Sequence, residues 1–327
     1  MKNRIAKLVD IKRIEIVEQD IPKLKPNQVL VAIKSAGICG SDLHYFNHGG
    51  LGSFRVPLPM DIGHEPAGVV VDGDFKFGAR VAIEPGCSCI TNKWVIRGKH
   101  NLDTEGTFLG ANAPGAFADY IIVDKKQLVE IPDSMSLDMG ALLEPLGVAL
   151  HSVRLVNVNM MDSVLILGAG PIGQSILHIC KLIGVRKIYI RDTHEYRLQH
   201  AYKHGAYPHT DEKVTVTFDC AGNNDSINKC ILYGDVNSRL ALVGIPEQDM
   251  CEYNPHKMRT KEMLIQNVRR SNLTLDDCVE LFSTYKQAEQ MITHNTELEN
   301  IQHAFETVSN RSDGVIKYII NPDKNSN

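Results

Sequence analysis

The stretch SVLILGAGPIG, residues 163–173, decides the fold of this 327-residue chain. Its first half is a short apolar run that predicts a buried strand, and the pattern G-x-G-x-x-G follows at once and opens a helix. Gly168 allows the tight turn, Gly170 lets the backbone approach a pyrophosphate, and Gly173 lets helix and strand pack closely. A second strand is predicted at Lys187–Ile190. This βαβ unit is typical of dinucleotide binding at a helix N-terminus, although such a turn can also merely connect strand and helix.

Asp192 stands 19 residues after Gly173, at the end of the second predicted strand. An acidic residue there accepts hydrogen bonds from the adenosine ribose and repels a 2′-phosphate, which favours NAD over NADP. Arg191 and Arg197 weaken that preference, so NADP stays open as the alternative. The predicted cofactor-binding residues are Gly168, Gly170, Pro171, Ile172, Gly173, Asp192 and Arg197.

The rest of the chain alternates between two kinds of pattern. The first third has β-branched runs such as 28–33 and 67–71, and its prolines predict loops rather than helices. After a predicted helix at 138–155, strands and helices alternate up to about residue 244, which predicts a doubly wound parallel sheet. The tail is predicted to be helical, with a strand at 315–320 and a frayed end at 323–327.

Composition excludes several classes of protein. The chain is 43% hydrophobic and 23% charged with a formal net charge of -4, as in an ordinary globular protein of two domains. It has no block of basic residues for nucleic acid, no apolar run that spans a membrane and no secretory signal. Without export, its eight cysteines are expected to be thiols or metal ligands in the cytoplasm rather than disulfides.

Four residues are of the types that bind zinc: Cys39, His64, Glu65 and Glu144. Their spacing is too wide to form a motif without further support. Taken singly, Cys39 is as well explained as a small buried apolar residue and His64 as a hydrogen-bonded loop histidine.

Five stretches change this interpretation: GICGSDLHYF (37–46), PMDIGHEPAGVVV (59–71), RVAIEPG (80–86), ALLEPLGVALHSV (141–153) and GAGPIG (168–173). In content and order they resemble the zinc-dependent medium-chain dehydrogenases, in particular the sorbitol (L-iditol), xylitol and L-idonate dehydrogenase branch. The resemblance extends from the first strand to Gly244 and, more thinly, to the C-terminus. It implies an α/β fold with a GroES-like, mostly β catalytic domain (1–145), a Rossmann NAD-binding domain (146–271) and a C-terminal segment (272–327) that returns to the catalytic domain.

The resemblance also implies roles for single residues. Cys39, His64 and Glu65 match zinc ligands, and Glu144 matches an acid that ligates the zinc or holds its water. Ser41 matches a hydroxyl that relays the alcohol proton. Apart from the resemblance, His44 is a further catalytic candidate, a polar residue near the site that can bond substrate hydroxyls, as Tyr45, Glu144 and Arg270 can. Tyr45 and Arg270 match substrate positions, although Ser271 replaces an aromatic residue that is common in sorbitol dehydrogenases.

The implied function is zinc-dependent, NAD-linked oxidation of a secondary alcohol of a polyol or sugar-derived substrate to the ketone, by a homodimer or homotetramer. L-Threonine, L-idonate, a cyclitol or a sugar intermediate of glycan or antibiotic biosynthesis are alternative substrates, and a non-catalytic nucleotide-binding protein is a further alternative.

Two departures from the family pattern are visible in the sequence. The four positions of the family's structural zinc lobe hold Cys89, Asn92, Val95 and Asp103, which predicts one catalytic zinc and no structural zinc. The chain is also short between His209 and Phe218, which leaves one crossover of the nucleotide domain in doubt.

Overall fold

The chain divides into two structural units in the computed structural model, which describes residues 2–322. Of the described residues, unit 1 contains 2–144 and 275–322, and unit 2 contains 145–274. The frayed end expected at 323–327 lies outside the described residues.

The elements follow in chain order. The strands of the first part are β1 (Lys2–Asp10), β2 (Arg13–Asp20), β3 (Gln28–Gly37), β4 (Gly50–Leu51), β5 (Phe54–Arg55), β6 (Met60–Asp61), β7 (Glu65–Gly73), β8 (Arg80–Ile83), β9 (Gly86–Cys87), β10 (Thr107–Phe108), β11 (Tyr120–Asp124) and β12 (Leu128–Glu130). Its helices are α1 (Gly40–His48), α2 (Lys93–Ile96) and α3 (Leu137–Leu155), the last of which extends into unit 2.

The middle and last parts complete the set. The middle part has β13 (Ser163–Leu167), α4 (Pro171–Ile183), β14 (Lys187–Arg191), α5 (Glu195–Lys203), β15 (Tyr207–Pro208), β16 (Val214–Asp219), α6 (Asn224–Tyr233), β17 (Gly234–Leu242), α7 (Pro255–Arg259) and β18 (Leu264–Asn267). The last part has α8 (Leu275–Thr284), β19 (Ile292–Glu297), α9 (Ile301–Asn310) and β20 (Lys317–Asn321).

Unit 1 is mostly β, as predicted. Its main sheet has the order β12-β8-β7-β3-β20-β19, and β11 pairs with β3. The C-terminal strand β20 thus lies inside a sheet that begins near the N-terminus, antiparallel to β3. Alternate residues of β3, among them Val29, Val31 and Ile33, are fully buried in the core of this unit.

The prediction that prolines exclude helices from the first third is wrong at α1. This nine-residue helix lies in the stretch 27–56, which contains no proline. It ends at Gly49, which takes a left-handed conformation with φ 64°.

Unit 2 is the predicted doubly wound parallel sheet. Its strand order is β15-β14-β13-β16-β17-β18, and every pair is parallel. The order reverses between β13 and β16, the place where such sheets bind ligands at the carboxyl ends of their strands. Residues 209–213 join β15 to β16 without a helix. The connection that is short in sequence therefore lacks a helix, but the six described strands still form one parallel sheet.

Candidate metal and cofactor sites

A pair of neighbouring strands assembles the candidate metal site. Cys39 stands between β3 and α1, and His64 immediately precedes β7. In the register of β3 and β7, Gly37 lies opposite Glu65. This pairing places two stretches about 25 residues apart in sequence side by side.

One ligand atom each from Cys39, His64 and Glu65 lies within 4.8 Å of the other two. His64 and Glu65 are buried, and Cys39 is half-buried. Thiolate sulfur, imidazole nitrogen and carboxylate oxygen are all ligands that zinc accepts, and a catalytic zinc has three protein ligands with a fourth position open. Glu65 Oε1 is buried and has no hydrogen-bond partner among the described residues, so this oxygen remains available as a ligand for a cation.

Asp42, which the sequence analysis did not single out, supports two of these residues. Its Oδ2 accepts a hydrogen bond from the backbone N–H of Cys39 at 3.0 Å, and its Oδ1 lies 3.5 Å from His64 Nδ1. Burial lowers the pKa of His64, but Asp42 and Cys39 outweigh burial, so this pKa lies well above its usual value. A carboxylate this close to a histidine that can bind a metal is the kind of supporting group that keeps such a ring in place. The sequence signal is an acidic residue three positions after Cys39, the spacing that joins an N-cap residue to the third residue of a helix.

Glu144 lies in the interior of α3 and is 6% exposed. It does not belong to the group of three donors, but it interacts electrostatically with His64 and Glu65. Burial is the main cause that raises the pKa of Glu144 to about 8, and Glu65 and Glu84 add to it. Several carboxylates therefore share one buried region, an arrangement that a bound cation stabilises.

The other predicted residues of unit 1 lie on α1. Ser41 and His44 are half-buried, and Tyr45 is buried. Arg270 belongs to unit 2, where it follows β18 with a left-handed φ of 57° and is half-buried.

Two further residues lie at the candidate metal site and are not among those predicted from the sequence. The Phe108 ring centroid lies 5.5 Å from that of His64. Lys317, on β20, forms a buried ion pair with Glu65. The signal for Lys317 is a charged residue within the apolar strand VIKYII (315–320), because a buried charge requires a partner.

The glycine turn of unit 2 has the geometry that the motif predicts. Gly168 adopts φ 105°, and a Cβ on Gly173 would lie 1.9 Å from the carbonyl oxygen of Gly168. Gly170 is the N-cap of α4, with Pro171 in the first turn, so backbone N–H groups remain for an anion.

Asp192 closes this turn from the neighbouring strand. Its Oδ2 accepts the Ala169 N–H at 2.7 Å and its Oδ1 accepts the His194 N–H at 2.8 Å. The Arg197 guanidinium lies 3.9 Å from Asp192.

The side chain of Arg191, the residue before Asp192, contacts a different group of residues. It forms an ion pair with Asp211, bonds the Tyr233 hydroxyl at 3.0 Å and stacks on that ring at 4.7 Å from its centroid.

Hydrogen bonds organise residues 89–105, where the sequence analysis places the positions of the family's structural zinc lobe. The Asp103 carboxylate accepts the backbone N–H groups of Cys89 at 2.6 Å and of Glu105 at 2.9 Å, and Val95 is buried. Burial alone would raise the pKa of Asp103, but hydrogen bonds from backbone N–H groups, among them those of Glu105 and Cys89, outweigh it and lower this pKa.

Comparison with known proteins gives consistent results. Residues 25–133 match the family model of the alcohol dehydrogenase GroES-like domain. The chain is 33% identical to L-idonate 5-dehydrogenase of Vitis vinifera over 98% of its length and 95% of that protein. It is 30% identical to sorbitol dehydrogenase of Bacillus subtilis over 98% of both chains. The solved structure of 2R,3R-butanediol dehydrogenase from Bacillus subtilis superposes with a TM-score of 0.88 at 27% identity, covering 98% of this chain and all of that one.

No helix among the described residues is both long and apolar enough to cross a membrane.

Proposed function

Because the chain belongs to the sorbitol, xylitol and L-idonate dehydrogenase-like branch of the medium-chain dehydrogenase/reductase family, we propose a specific reaction for it. The protein oxidises a secondary alcohol of a polyol or sugar-derived substrate to the ketone, with zinc and NAD. It is an oxidoreductase of the alcohol and polyol dehydrogenase type. The proposal rests above all on one observation, the convergence of ligand atoms of Cys39, His64 and Glu65 within 4.8 Å.

The donor set fits a catalytic zinc. Cys39 and His64 supply sulfur and nitrogen, Glu65 supplies an oxygen without another partner, and Glu144 is near enough to interact with them. When bound, zinc supplies Lewis acidity that lowers the pKa of a substrate hydroxyl. We assign this site to unit 1.

The protein's own groups would hold and orient the substrate. Ser41 and His44 lie in the first turns of α1, close in sequence to Cys39, and are the groups assigned to remove the alcohol proton. Tyr45 and Glu144, both of unit 1, are assigned to the remaining hydroxyls. Asp42 holds the Cys39 backbone through Oδ2 and places its second carboxylate oxygen 3.5 Å from His64 Nδ1.

The cofactor is assigned to the turn 168–173 of unit 2, with the pyrophosphate at the N-terminus of α4. NAD supplies the hydride acceptor. Asp192 disfavours the 2′-phosphate of NADP by charge repulsion. Arg191 does not offset this repulsion, because Asp211 and Tyr233 occupy its guanidinium.

We propose one zinc per chain and no structural zinc, because Val95 offers no ligand atom and Asp103 already accepts backbone hydrogen bonds. All eight cysteines, which lie within the described residues, are free thiols, and this supports a reducing compartment such as the cytoplasm. A homodimer or homotetramer is proposed from the family alone, and light scattering would distinguish the two.

The deciding experiment combines metal analysis with a substrate panel. The purified protein should contain close to one zinc per chain and should reduce NAD with at least one polyol, aldonate or amino alcohol. Cys39→Ser should lose both zinc and turnover yet still bind NAD, whereas Cys87→Ser, at another half-buried cysteine of unit 1, should keep all three properties. Full activity in Cys39→Ser would refute the metal assignment, and two zinc ions per chain would refute the loss of the structural site.

A further inference from the structure

A buried lysine lies behind the candidate metal site. Lys317 belongs to β20, and its side chain is 1% exposed. Its Nζ donates to the carbonyl oxygen of Ile38 at 2.9 Å and forms an ion pair with Glu65 Oε2, whose side chain is also 1% exposed. Ile38 directly precedes Cys39, so this lysine contacts both chain segments that supply the metal donors. Lysine is almost never fully buried unless it is paired, so a specific role is expected for it.

The two oxygens of Glu65 have different surroundings. Oε2 is held by Lys317, while Oε1 is buried and accepts no hydrogen bond from the described residues. A buried carboxylate oxygen without a partner is costly unless a cation approaches it. The ion pair therefore fixes the carboxylate at one oxygen and leaves the other for a ligand.

Gly37 provides the space for this arrangement. A Cβ at this position would lie 2.0 Å from Glu65 Oε2 and 2.7 Å from Lys317 Cε. Its φ is not among the positive values, so space and not backbone conformation requires the glycine. The pairing of β3 with both β7 and β20 brings Gly37, Glu65 and Lys317 together from three distant parts of the sequence.

The charges around Lys317 give it a second effect. Glu144 interacts electrostatically with Glu65, with Glu84 and with Lys317 itself in this buried region, and Cys39 adds a thiolate when it binds a metal. Carboxylates buried together repel each other, and an ammonium group among them offsets part of this repulsion.

We propose that Lys317 is a positioning residue of the metal site: by holding Glu65 Oε2 it presents Oε1 to the metal beside Cys39 and His64, and its charge stabilises this acidic set of donors. The inference rests on the proposed function, because it concerns the same zinc. It assigns a role to β20, the last of the described strands, which supplies none of the three candidate donors.

Zinc affinity, measured by competition with a chromophoric chelator, tests the proposal without reference to turnover. Lys317→Met should weaken zinc binding by about 10–100-fold, the usual effect of removing a group that orients a ligand. Lys261→Met is the matched control, since this lysine of unit 2 also donates to backbone carbonyls, those of Ile231 and Gly234. The control should keep the zinc affinity of the wild type.

A second variant keeps the test decisive if Lys317→Met does not fold. Gly37→Ala retains the lysine but pushes a methyl group into Glu65 Oε2, so it should also lower zinc affinity at least tenfold. In the Co²⁺-substituted protein, both variants should keep the thiolate-to-metal charge-transfer band of Cys39 and change the d–d bands, since only the carboxylate ligand is disturbed.

A double-variant cycle separates positioning from a general loss of stability. Adding Lys317→Met to Glu65→Gln should cost little further zinc affinity, because the lysine acts through the glutamate. Additive losses, or unchanged affinity and unchanged Co²⁺ spectra in Lys317→Met and Gly37→Ala, would overturn the inference. A wild-type protein that binds no zinc would instead overturn the proposed function itself.

Discussion

The second and third glycines of the turn 168–173 differ in the space around them, in line with the separate roles that the motif predicts for them. A Cβ on Gly170 would meet only the Arg197 guanidinium, at 3.7 Å, whereas a Cβ on Gly173 would lie 1.9 Å from a backbone oxygen. The first distance is an ordinary contact and the second cannot exist. The fold therefore needs the space at Gly173, whereas the space at Gly170 is available to the proposed cofactor.

This difference predicts opposite outcomes for two alanine variants. Gly170→Ala should leave the melting temperature near that of the wild type and raise the Kd for NAD, because the methyl group occupies the approach of the pyrophosphate. Gly173→Ala should destabilise the protein by about 1–3 kcal/mol, the usual cost of an overpacked site. Thermal melts and NAD titration measure both. Equal effects of the two variants on stability would contradict the assignment.

Asp192 is the residue on which cofactor choice should depend. Asp192→Ala removes the charge that repels a 2′-phosphate, so kcat/KM with NADP should rise relative to kcat/KM with NAD. Some stability should be lost as well, because the carboxylate accepts the N–H groups of Ala169 and His194. Arg191→Met serves as the control and should leave the ratio unchanged. A ratio that shifts in the control and not in Asp192→Ala would transfer the role to Arg191.

At the scale of secondary-structure elements, three histidines from α4 and from the end of α5 lie next to one another. The ring of His178, on α4, lies 5.1 Å from that of His204, which follows α5, and His204 lies 4.5 Å from His200. Burial, followed by the neighbouring histidines, lowers the pKa of His178 to about 3. Burial, His200 and Lys203 lower the pKa of His204 to about 4. Both rings are therefore neutral in the folded protein at neutral pH.

The histidine cluster predicts a loss of stability in acid. An unfolded histidine takes up its proton near pH 6.5, but the folded protein takes it up only near pH 3–4, so the unfolded state binds more protons between these values. The free energy of unfolding should therefore be highest above pH 6.5, where His178 and His204 are neutral in both states, and should decline as the pH falls from 6.5 towards 3–4. Urea unfolding from pH 7.5 to 4.5 should show a shallower decline for His178→Gln than for the wild type. The exposed His303 provides the control His303→Gln, and parallel curves for all three proteins would refute the mechanism.

Local patterns were predictable from sequence, and long-range register was not. The strand, glycine turn and helix at 163–183 depend on neighbouring residues, so the motif sufficed to predict them. The convergence of Cys39 and His64 depends on the pairing of β3 with β7, which only the family resemblance anticipated. Lys317 reaches Glu65 across 252 residues through β20, and no local signal says which partner a buried lysine finds. Helix α1 was missed because the prolines on either side of it concealed a proline-free stretch.

At the scale of the whole molecule, the two units differ in how the chain builds them. Unit 2 is continuous in sequence, and residues of its sheet and of α6 form a hydrophobic core of their own. Unit 1 combines both ends of the chain, since β20 pairs with β3. The candidate donors Cys39, His64, Glu65 and Glu144 all belong to unit 1, whereas the glycine turn and Asp192 belong to unit 2.

This division predicts that the two ligands stabilise different parts of the chain. A ligand that binds only the folded state adds about 2.7 kcal/mol at a concentration of 100 times its Kd. NAD at that concentration should therefore slow amide hydrogen exchange mainly in 145–274, and removal of zinc by a chelator should speed exchange mainly in 2–144 and 275–322. Exchange measured by mass spectrometry gives both maps from one preparation, and re-addition of zinc is the control. If chelation instead exposed 163–243 first, the metal would be bound outside the site assigned to it.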